Sequence, residues 1–140
     1  MWMVAALYVA EGIPAGIFHD LVQVWLLEAH GASLTELGLV SLLAMPWTFK
    51  ALWSPLVDRT GTAARWISGA MLAVGLVTVA LPFLPPGMPV WAMLGLLTTA
   101  SATADVAIDG YTATVVPPAL HGRVNGWRVA AYRAAMLVCG

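Results

Sequence analysis

The chain has 140 residues, of which 61% are apolar and only 9% are charged, and its net charge is −1. About a quarter of the residues in an average soluble domain are charged, so this composition excludes a soluble globular protein and indicates an integral membrane protein. The small net charge and the lack of any basic run exclude nucleic acid as a partner. At about 20 to 25 residues per helix, the chain has room for at most about five short-looped spans in the lipid bilayer.

The first predicted span covers residues 3–27. No Lys or Arg precedes Lys50, so this span lacks the basic region of a cleaved secretory signal. Pro14, which lies between two glycines, predicts a kink or local unwinding. That irregularity is either a packing kink or a break that lines a solute pathway. Glu11 favours the pathway, and Asp20 is a further carboxylate of the same span, because a carboxylate in hydrocarbon is expensive and usually faces an interior route.

The second predicted span covers residues 34–57. Ser33 or Thr35 is expected to cap its first turn. Lys50 is the unusual residue here, and it precedes Asp58 by about 12 Å of helix. Its ammonium group either extends to the membrane interface, or it is a buried cation paired with a carboxylate of the first or fourth span.

The third predicted span, residues 66–84, follows a polar turn that contains Asp58, Arg59, Gly61 and Arg65. The span contains no ionisable residue, which is typical of a scaffold helix at the periphery of a bundle. A cluster of prolines with one glycine ends it.

The fourth predicted span, residues 90–116, carries a run of small residues at 98–104 that allows neighbouring helices to approach closely. Asp105 and Asp109 follow this run and lie on one face of the helix, because they are four residues apart. Two ionised carboxylates repel in a low dielectric, so one of them should hold a proton unless a cation intervenes. A proton-coupled site needs this arrangement, although Asp109 is alternatively a solvated residue near the headgroups.

The fifth apolar segment, residues 126–140, would extend only about 22 Å as a helix, less than the membrane core of about 30 Å. The chain is therefore expected to stop inside a span. Arg128 is interpreted as a marker of the cytoplasmic interface. Arg133 lies further in and is a candidate partner of Asp105 or Asp109.

Basic residues are confined to two of the predicted loops. The loops after the first and third spans carry no Lys or Arg, and the first of them carries Glu28. By the positive-inside rule, the amino terminus and the two arginine-bearing loops are predicted to be cytoplasmic. Their arginines are Arg59, Arg65 and Arg123.

The polar turn after the second span resembles the loop signature of major facilitator superfamily transporters, Gly-x-x-x-Asp-Arg/Lys-x-Gly followed by basic residues. Asp58, Arg59 and Gly61 match its core, and Arg65 is what remains of the basic cluster. Ser54 stands where the first glycine usually is. The position of the turn after two predicted spans strengthens the resemblance.

Longer stretches resemble one branch of that superfamily, the AmpG-type permeases of muropeptides and their relatives that carry acetyl-CoA or siderophores. The most specific stretch is Pro-Trp-x-x-Lys-x-Leu-Trp-x-Pro-Leu-x-Asp-Arg at residues 46–59, and the others are residues 8–14, 33–38 and 104–111. AmpG-type proteins usually have Gln before the first aspartate of the fourth span, where this chain has Ala104. The identity of the substrate therefore stays open.

The resemblance implies an all-α permease of twelve or fourteen helices that alternates access by rocking two six-helix halves, often driven by a proton gradient. Residues 1–140 would supply an incomplete N-terminal half, with four full transmembrane helices and a truncated fifth. The missing C-terminal half would belong to the same gene product or to a complementary chain. The implied function is proton-coupled import of a muropeptide-like or similar organic solute across the bacterial inner membrane. Siderophore or acetyl-CoA transport and a truncated, non-transporting membrane protein are the alternatives.

Residue roles follow from the same resemblance. Asp105 and Asp109 are predicted to couple protons or pair with cations, while Glu11 and Lys50 line the pathway. Asp58 would pair with a cation or a helix end in only one conformation of the transporter. The predicted pathway comprises Glu11, Asp20, Lys50, Asp105, Asp109 and Arg133, and the predicted gating loop comprises Asp58, Arg59, Gly61 and Arg65.

A membrane-embedded aspartyl protease is the competing class. Such proteases place their two aspartates on different helices, in Tyr-Asp and Gly-x-Gly-Asp contexts, whereas here both aspartates lie on one predicted helix. We therefore do not expect an enzyme. The three histidines are scattered at positions 19, 30 and 121 and there is no phosphate-binding glycine loop, so no metal or cofactor is expected.

Overall fold

The computed structural model describes residues 2–139. These residues form helices joined by short turns, and no strand occurs among them, so the predicted all-α class is confirmed. Three helical stretches are long and apolar enough to cross a membrane: Trp2–Ala29, Ala63–Phe83 and Met88–Val115. They correspond to the first, third and fourth predicted spans, and the protein is an integral membrane protein.

The first span consists of α1 (Trp2–Gly16) and α2 (Val22–His30), joined by a π-helical turn at Ile17–Leu21. Pro14 lies inside α1 without interrupting it. The predicted irregularity is therefore present, but it follows Pro14 by one turn. A proline lacks the N–H of the regular ladder and crowds the preceding carbonyl, and here the helix widens only beyond Gly16.

Three short helices cover the predicted second span, residues 34–57, which is not a continuous helix. The departures from regular α-helix are two 3-10 segments. Pro46 and Pro55 each lie in the first turn of the helix that follows a 3-10 segment, where a missing N–H is tolerated. The segments in chain order are α3 (Leu34–Val40), Ser41–Ala44, α4 (Met45–Phe49), Lys50–Leu52 and α5 (Ser54–Arg59).

The start of α3 is fixed by a capping box, as predicted for Ser33. The Ser33 hydroxyl accepts a hydrogen bond from the backbone N–H of Glu36 at 3.2 Å, and the backbone N–H of Ser33 donates to Glu36 Oε2 at 2.7 Å. Two backbone donors at the helix start are thereby satisfied.

The third and fourth spans, α6 (Ala63–Ala80) and α7 (Met88–Val115), pack along each other. In the apolar window of α7 61% of the residues are buried, against 22% in that of the third span, so α7 is central and α6 is peripheral, as predicted. Apolar side chains of α6 such as Leu72 and Leu76 are exposed on its outer face. Gly87, at φ 115°, forms the turn between the two helices.

The fifth helix, α8 (His121–Cys139), begins at His121 rather than at Gly126, and the predicted segment end at Gly140 lies outside the described residues. It packs along α1. A Cβ atom on Gly12 would lie 2.7 Å from Cβ of Ala135 and 3.1 Å from the backbone oxygen of Tyr132. Gly12 therefore allows the close approach that brings α8 against the first span.

The interior of the bundle changes character along α7. Near its start, Leu94 and Leu97 are fully buried in an apolar cluster with Phe18 of the first span. The predicted run of small residues follows, and Thr98 and Ser101 in it are buried. Beyond this run the interior becomes charged.

Candidate functional site

Charged side chains from four segments of the chain meet inside the bundle. We call this group the charged cluster. The first span contributes one carboxylate, α7 contributes two, and a cation comes from each of the second span and α8. The cluster consists of Glu11, Lys50, Asp105, Asp109 and Arg128.

Lys50 forms an ion pair and hydrogen bond with Oδ2 of Asp105, and its Nζ atom lies 3.7 Å from Oδ2 of Asp109. Of the two alternatives left open by the sequence, the observed one is the cation paired with the fourth span. The 3-10 segment that begins at Lys50 presents its side chain to α7.

Arg128 is the second cation of the cluster. Its Nη2 atom lies 3.2 Å from Oδ1 of Asp105, and its Nη1 atom lies 2.9 Å from Oδ1 of Asp109. The prediction that Arg133 pairs with these aspartates is wrong for the described residues, and so is the assignment of Arg128 to the interface alone. Arg133 lies five residues further along α8, about 7.5 Å away and on a different face, which explains the difference.

The two cations explain how two aspartates one turn apart are accommodated in the interior. The side chain of Asp105 is 7% exposed and that of Asp109 is 33% exposed. With Glu11, three carboxylates face two cations, so full ionisation leaves the cluster with one negative charge too many. A single bound proton would balance the cluster.

Glu11 is the least well paired member of the cluster. Its side chain is 8% exposed, and Oε1 lies 3.9 Å from Nη2 of Arg128. Its Oε2 atom is buried and has no hydrogen-bond partner among the described residues. Because buried polar atoms are nearly always paired, this oxygen is a natural position for a proton, a water molecule or a solute atom.

Tyr8 of α1 supports the cluster from the other side. Its hydroxyl donates a hydrogen bond to Oδ1 of Asp109 at 3.3 Å, and the Arg128 guanidinium carbon lies 5.3 Å from the centroid of its ring. The ring therefore adds a cation–π contact to the ion pair. Tyr8 was not among the predicted site residues.

A cavity of about 540 Å³, which we call the first cavity, opens beside the cluster. The rings of His19 and Trp47 are stacked in its wall, with centroids 5.9 Å apart and planes at 26°. Asp20, predicted to line the pathway, is exposed and is not part of this wall. The charged and aromatic residues of the wall are Glu11, His19, Trp47, Lys50, Asp105, Arg128, Tyr132 and Arg133.

A second cavity of about 410 Å³ lies toward the turn between α7 and α8. The charged cluster contributes Asp109 and Arg128 to its wall, and Arg128 lines both cavities. The polar residues of this wall are Tyr8, Asp109, Thr112, His121, Asn125 and Arg128.

The predicted gating loop is exposed. Asp58, Arg59, Gly61 and Arg65 are all at the surface. Gly61 has φ 74°, a left-handed conformation that favours glycine, and thus permits the tight turn. No ion pair of these residues occurs among the described residues.

Asp58 is held locally rather than by a cation. The Ser54 hydroxyl donates to Oδ2 of Asp58 at 3.5 Å. On the neighbouring helix, a Cβ atom at Gly110 would lie 3.3 Å from Oδ1 of Asp58, so Gly110 leaves room for this carboxylate. The loop is closed by a hydrogen bond from the Trp66 indole to the backbone oxygen of Thr60.

Comparison with known proteins gives one family and several named relatives. A family model described as acetyl-coenzyme A transporter 1 matches residues 1–85. The chain is 30% identical over 139 residues to the anhydromuropeptide permease of Escherichia coli (strain K12), which covers 94% of this chain and 28% of that protein. It is 25% identical over 146 residues to a Rickettsia conorii protein named transporter AmpG 4, which covers 94% of this chain and 34% of that protein. No solved structure matches the chain.

The relatives confirm the resemblance to AmpG-type permeases, and the chain spans about a quarter to a third of their length. Relatives are not restricted to bacteria, since a membrane protein of Saccharomyces cerevisiae is 29% identical over 146 residues, covering 82% of this chain and 26% of that protein. The family model covers more than half of the chain, residues 1–85 of 140, and the chain therefore belongs to the family described as acetyl-coenzyme A transporter 1.

Proposed function

We propose that this chain is part of a secondary active transporter of the AmpG type that moves an organic solute together with protons. The observation that carries the proposal is the charged cluster, whose Glu11 and Asp105 are buried on helices apolar enough to cross a membrane and which opens to the first cavity. Charges in the hydrocarbon region are expensive and mark solute and ion pathways.

Proton coupling is supported by the charge count of the cluster. Three carboxylates face two cations, so one proton can bind and leave without creating a second uncompensated charge. Both aspartates lie near both cations, and Asp105 is the more deeply buried of the two, so its protonation would change the positions of Lys50 and Arg128 together.

The solute is proposed to be a muropeptide-like molecule or a similar organic anion. Arg133 offers a positive charge at the wall of the first cavity, and the His19–Trp47 pair offers an aromatic surface. The name of the Escherichia coli relative supports a muropeptide, whereas the family description supports acetyl-CoA as the second candidate. Both carry negative charge and ring systems, and a siderophore remains the third candidate of the same superfamily.

The working transporter would include a further helical half, in the same polypeptide or in a complementary chain. The relatives are three to four times as long as the stretch they share with this chain, which supports such a half. We place the amino terminus and the Asp58–Arg65 turn in the cytoplasm, in a bacterial inner membrane, on the distribution of arginines. That turn would then close the inner gate against the second half.

The test is Asp105→Asn in the complete permease. We expect proton-driven uptake to fall to background while the amount of protein in the membrane stays the same, because the amide cannot take up a proton or balance both cations. Uptake is measured in proteoliposomes with an imposed pH gradient, using an anhydromuropeptide and acetyl-CoA in parallel. Glu28→Gln, which neutralises an exposed carboxylate outside the cluster, is the matched control.

The same experiment separates the alternatives. Unchanged uptake by Asp105→Asn would remove this residue from the mechanism. Uptake of only one of the two solutes identifies the substrate class. If the unaltered permease takes up neither solute, nor a ferric siderophore, it does not transport these classes, and the alternative of a non-transporting membrane protein gains support.

A further inference from the structure

The two cavities meet at a single side chain. Arg128 lines both, and its two terminal nitrogens point to different carboxylates: Nη2 lies 3.2 Å from Asp105, in the wall of the first cavity, and Nη1 lies 2.9 Å from Asp109, in the wall of the second. A planar guanidinium held at both ends has little rotational freedom. The arginine therefore occupies the passage between the cavities.

The second cavity also differs from the first in chemistry. It lacks the aromatic pair of the first cavity, and its wall combines hydroxyl, amide and imidazole groups with Asp109 and Arg128. The Asp109 side chain is 33% exposed, whereas the Asp105 side chain is 7% exposed. Ala113 and Val124 also line this cavity, but its converging polar groups can hold water molecules, because a site for water needs several polar partners.

We propose that the second cavity is a separate hydrated compartment that carries water and protons to Asp109, and that the Arg128–Asp109 ion pair is its wall toward the first cavity. In this arrangement Asp105 faces the solute compartment and Asp109 faces the proton compartment. Tyr8 is a positioning residue, because its hydroxyl holds Oδ1 of Asp109 against Arg128. The proposal rests on the proposed transport function but assigns a new role to this cavity.

The charged and titratable groups that face Asp109 come from α1, the second span, α7 and α8. Protonation of Asp109 would remove its attraction to Arg128 and Lys50 and leave the guanidinium held on the side of Asp105 and Glu11. We therefore expect that a lower pH breaks the Arg128–Asp109 ion pair and opens the barrier between the two cavities. The groups are Tyr8 and Glu11 from α1, Lys50 from the second span, Asp105 from α7, and His121 and Arg128 from α8.

Thiol labelling tests the compartment without any need for transport. In a Cys139→Ser background, Ala113→Cys places a thiol at an exposed position of α7 that lines the second cavity. We expect a charged, membrane-impermeant methanethiosulfonate reagent to modify it from the membrane face that carries the α7–α8 turn. Ala102→Cys is the matched control, because Ala102 is a fully buried alanine of the same helix that lines neither cavity, and it should react at least a hundredfold more slowly.

The wall is tested by adding the reagent from the opposite face, in vesicles of defined orientation. Ala113→Cys should then react at least tenfold more slowly than from the turn side. Adding Asp109→Asn should remove most of this difference, and Tyr8→Phe should reduce it. Tyr111→Phe, which removes a hydroxyl of α7 outside both cavities, should leave it unchanged.

The pH dependence adds a third measurement. Acid lowers the reactivity of any thiol, so the rates are compared with those of the Asp109→Asn background at the same pH. We expect the ratio of the two opposite-face rates to approach one as the pH falls. An Ala113→Cys thiol that reacts from neither face, or equally from both in the unaltered background, would overturn the proposal. Lost solute uptake with intact labelling would instead refute only the transport function.

Discussion

The charged cluster and the gating loop contain the same residue types in opposite surroundings. In the cluster, Asp105 is buried and contacts two cations on two other segments of the chain. In the loop, Asp58 is exposed and bonded only to the hydroxyl of Ser54 four residues earlier, while its neighbour Arg59 is exposed as well. The charged cluster therefore links several segments of the chain in this conformation. Asp58 of the loop has no cation partner among the described residues and is available for an ion pair in another conformation.

The largest expected effect comes from breaking the Lys50–Asp105 pair. Lys50→Met should lower the free energy of unfolding by about 2 to 4 kcal/mol, somewhat less than the loss of a fully buried pair, because Arg128 still neutralises part of the charge on Asp105. The measurement is denaturant unfolding of the protein in lipid-containing micelles, followed by circular dichroism. The double variant Lys50→Met with Asp105→Asn should lose clearly less than the sum of the two single losses.

The control for this comparison is Arg59→Met, which removes an exposed cation of the loop. We expect it to change the free energy of unfolding by no more than about 0.5 kcal/mol. If Lys50→Met and Arg59→Met lowered the free energy of unfolding equally, the burial of the cluster would not explain a difference in stability between the two regions.

An intermediate effect is expected at the turn of the loop. Gly61→Ala should cost about 1 to 2 kcal/mol, because φ of 74° places an alanine in the left-handed region. Gly69→Ala is the matched control, since it lies inside α6 with open space around it and a helical backbone, and it should be neutral or slightly stabilising. A similar cost at both positions would argue against the turn geometry as the cause.

The smallest effect on stability is expected for Asp58→Asn. The amide has nearly the same shape and fits the space beside Gly110, so the free energy of unfolding should change by no more than about 0.5 kcal/mol. Under the proposed gating role, however, the complete permease should lose most of its uptake rate. If uptake by this variant equals that of the unaltered permease, Asp58 is a surface residue without a role in transport, unlike the role proposed for Asp105.

Sequence reasoning reached the helical class and the three apolar spans, and it gave the pairing of Lys50 with a carboxylate of the first or fourth span as one of two alternatives. Composition and length are sufficient for the first two, because the hydrocarbon core sets both. The pairing followed from the cost of leaving a cation unpaired in lipid.

Arg128 was missed as a cluster member, although a depth count would have indicated it. Lys50 precedes Asp58 by eight residues, Asp109 precedes Pro117 by eight, and Arg128 follows the start of α8 by seven. Each count corresponds to about 10 to 12 Å of helix from the same membrane face. Equal depth does not give rotation about the helix axis, however, and the 3-10 segments at Ser41–Ala44 and Lys50–Leu52 shift the rotation of the second span in a way that the sequence pattern does not encode.

The π-helical turn at Ile17–Leu21 has a consequence for the face that the first span presents to the solute. Glu11 and His19 both line the first cavity, although eight residues of regular α-helix would rotate them about 80° apart. A π-helical turn rotates the chain less per residue than a regular α-helix does. The imidazole of His19 is therefore brought toward the face of the helix that carries the Glu11 carboxylate. A helical wheel drawn from Trp2 therefore gives the wrong facing for residues beyond Gly16. Glu11 and His19 line the same cavity only because the π-helical turn changes the rotation of the helix between them.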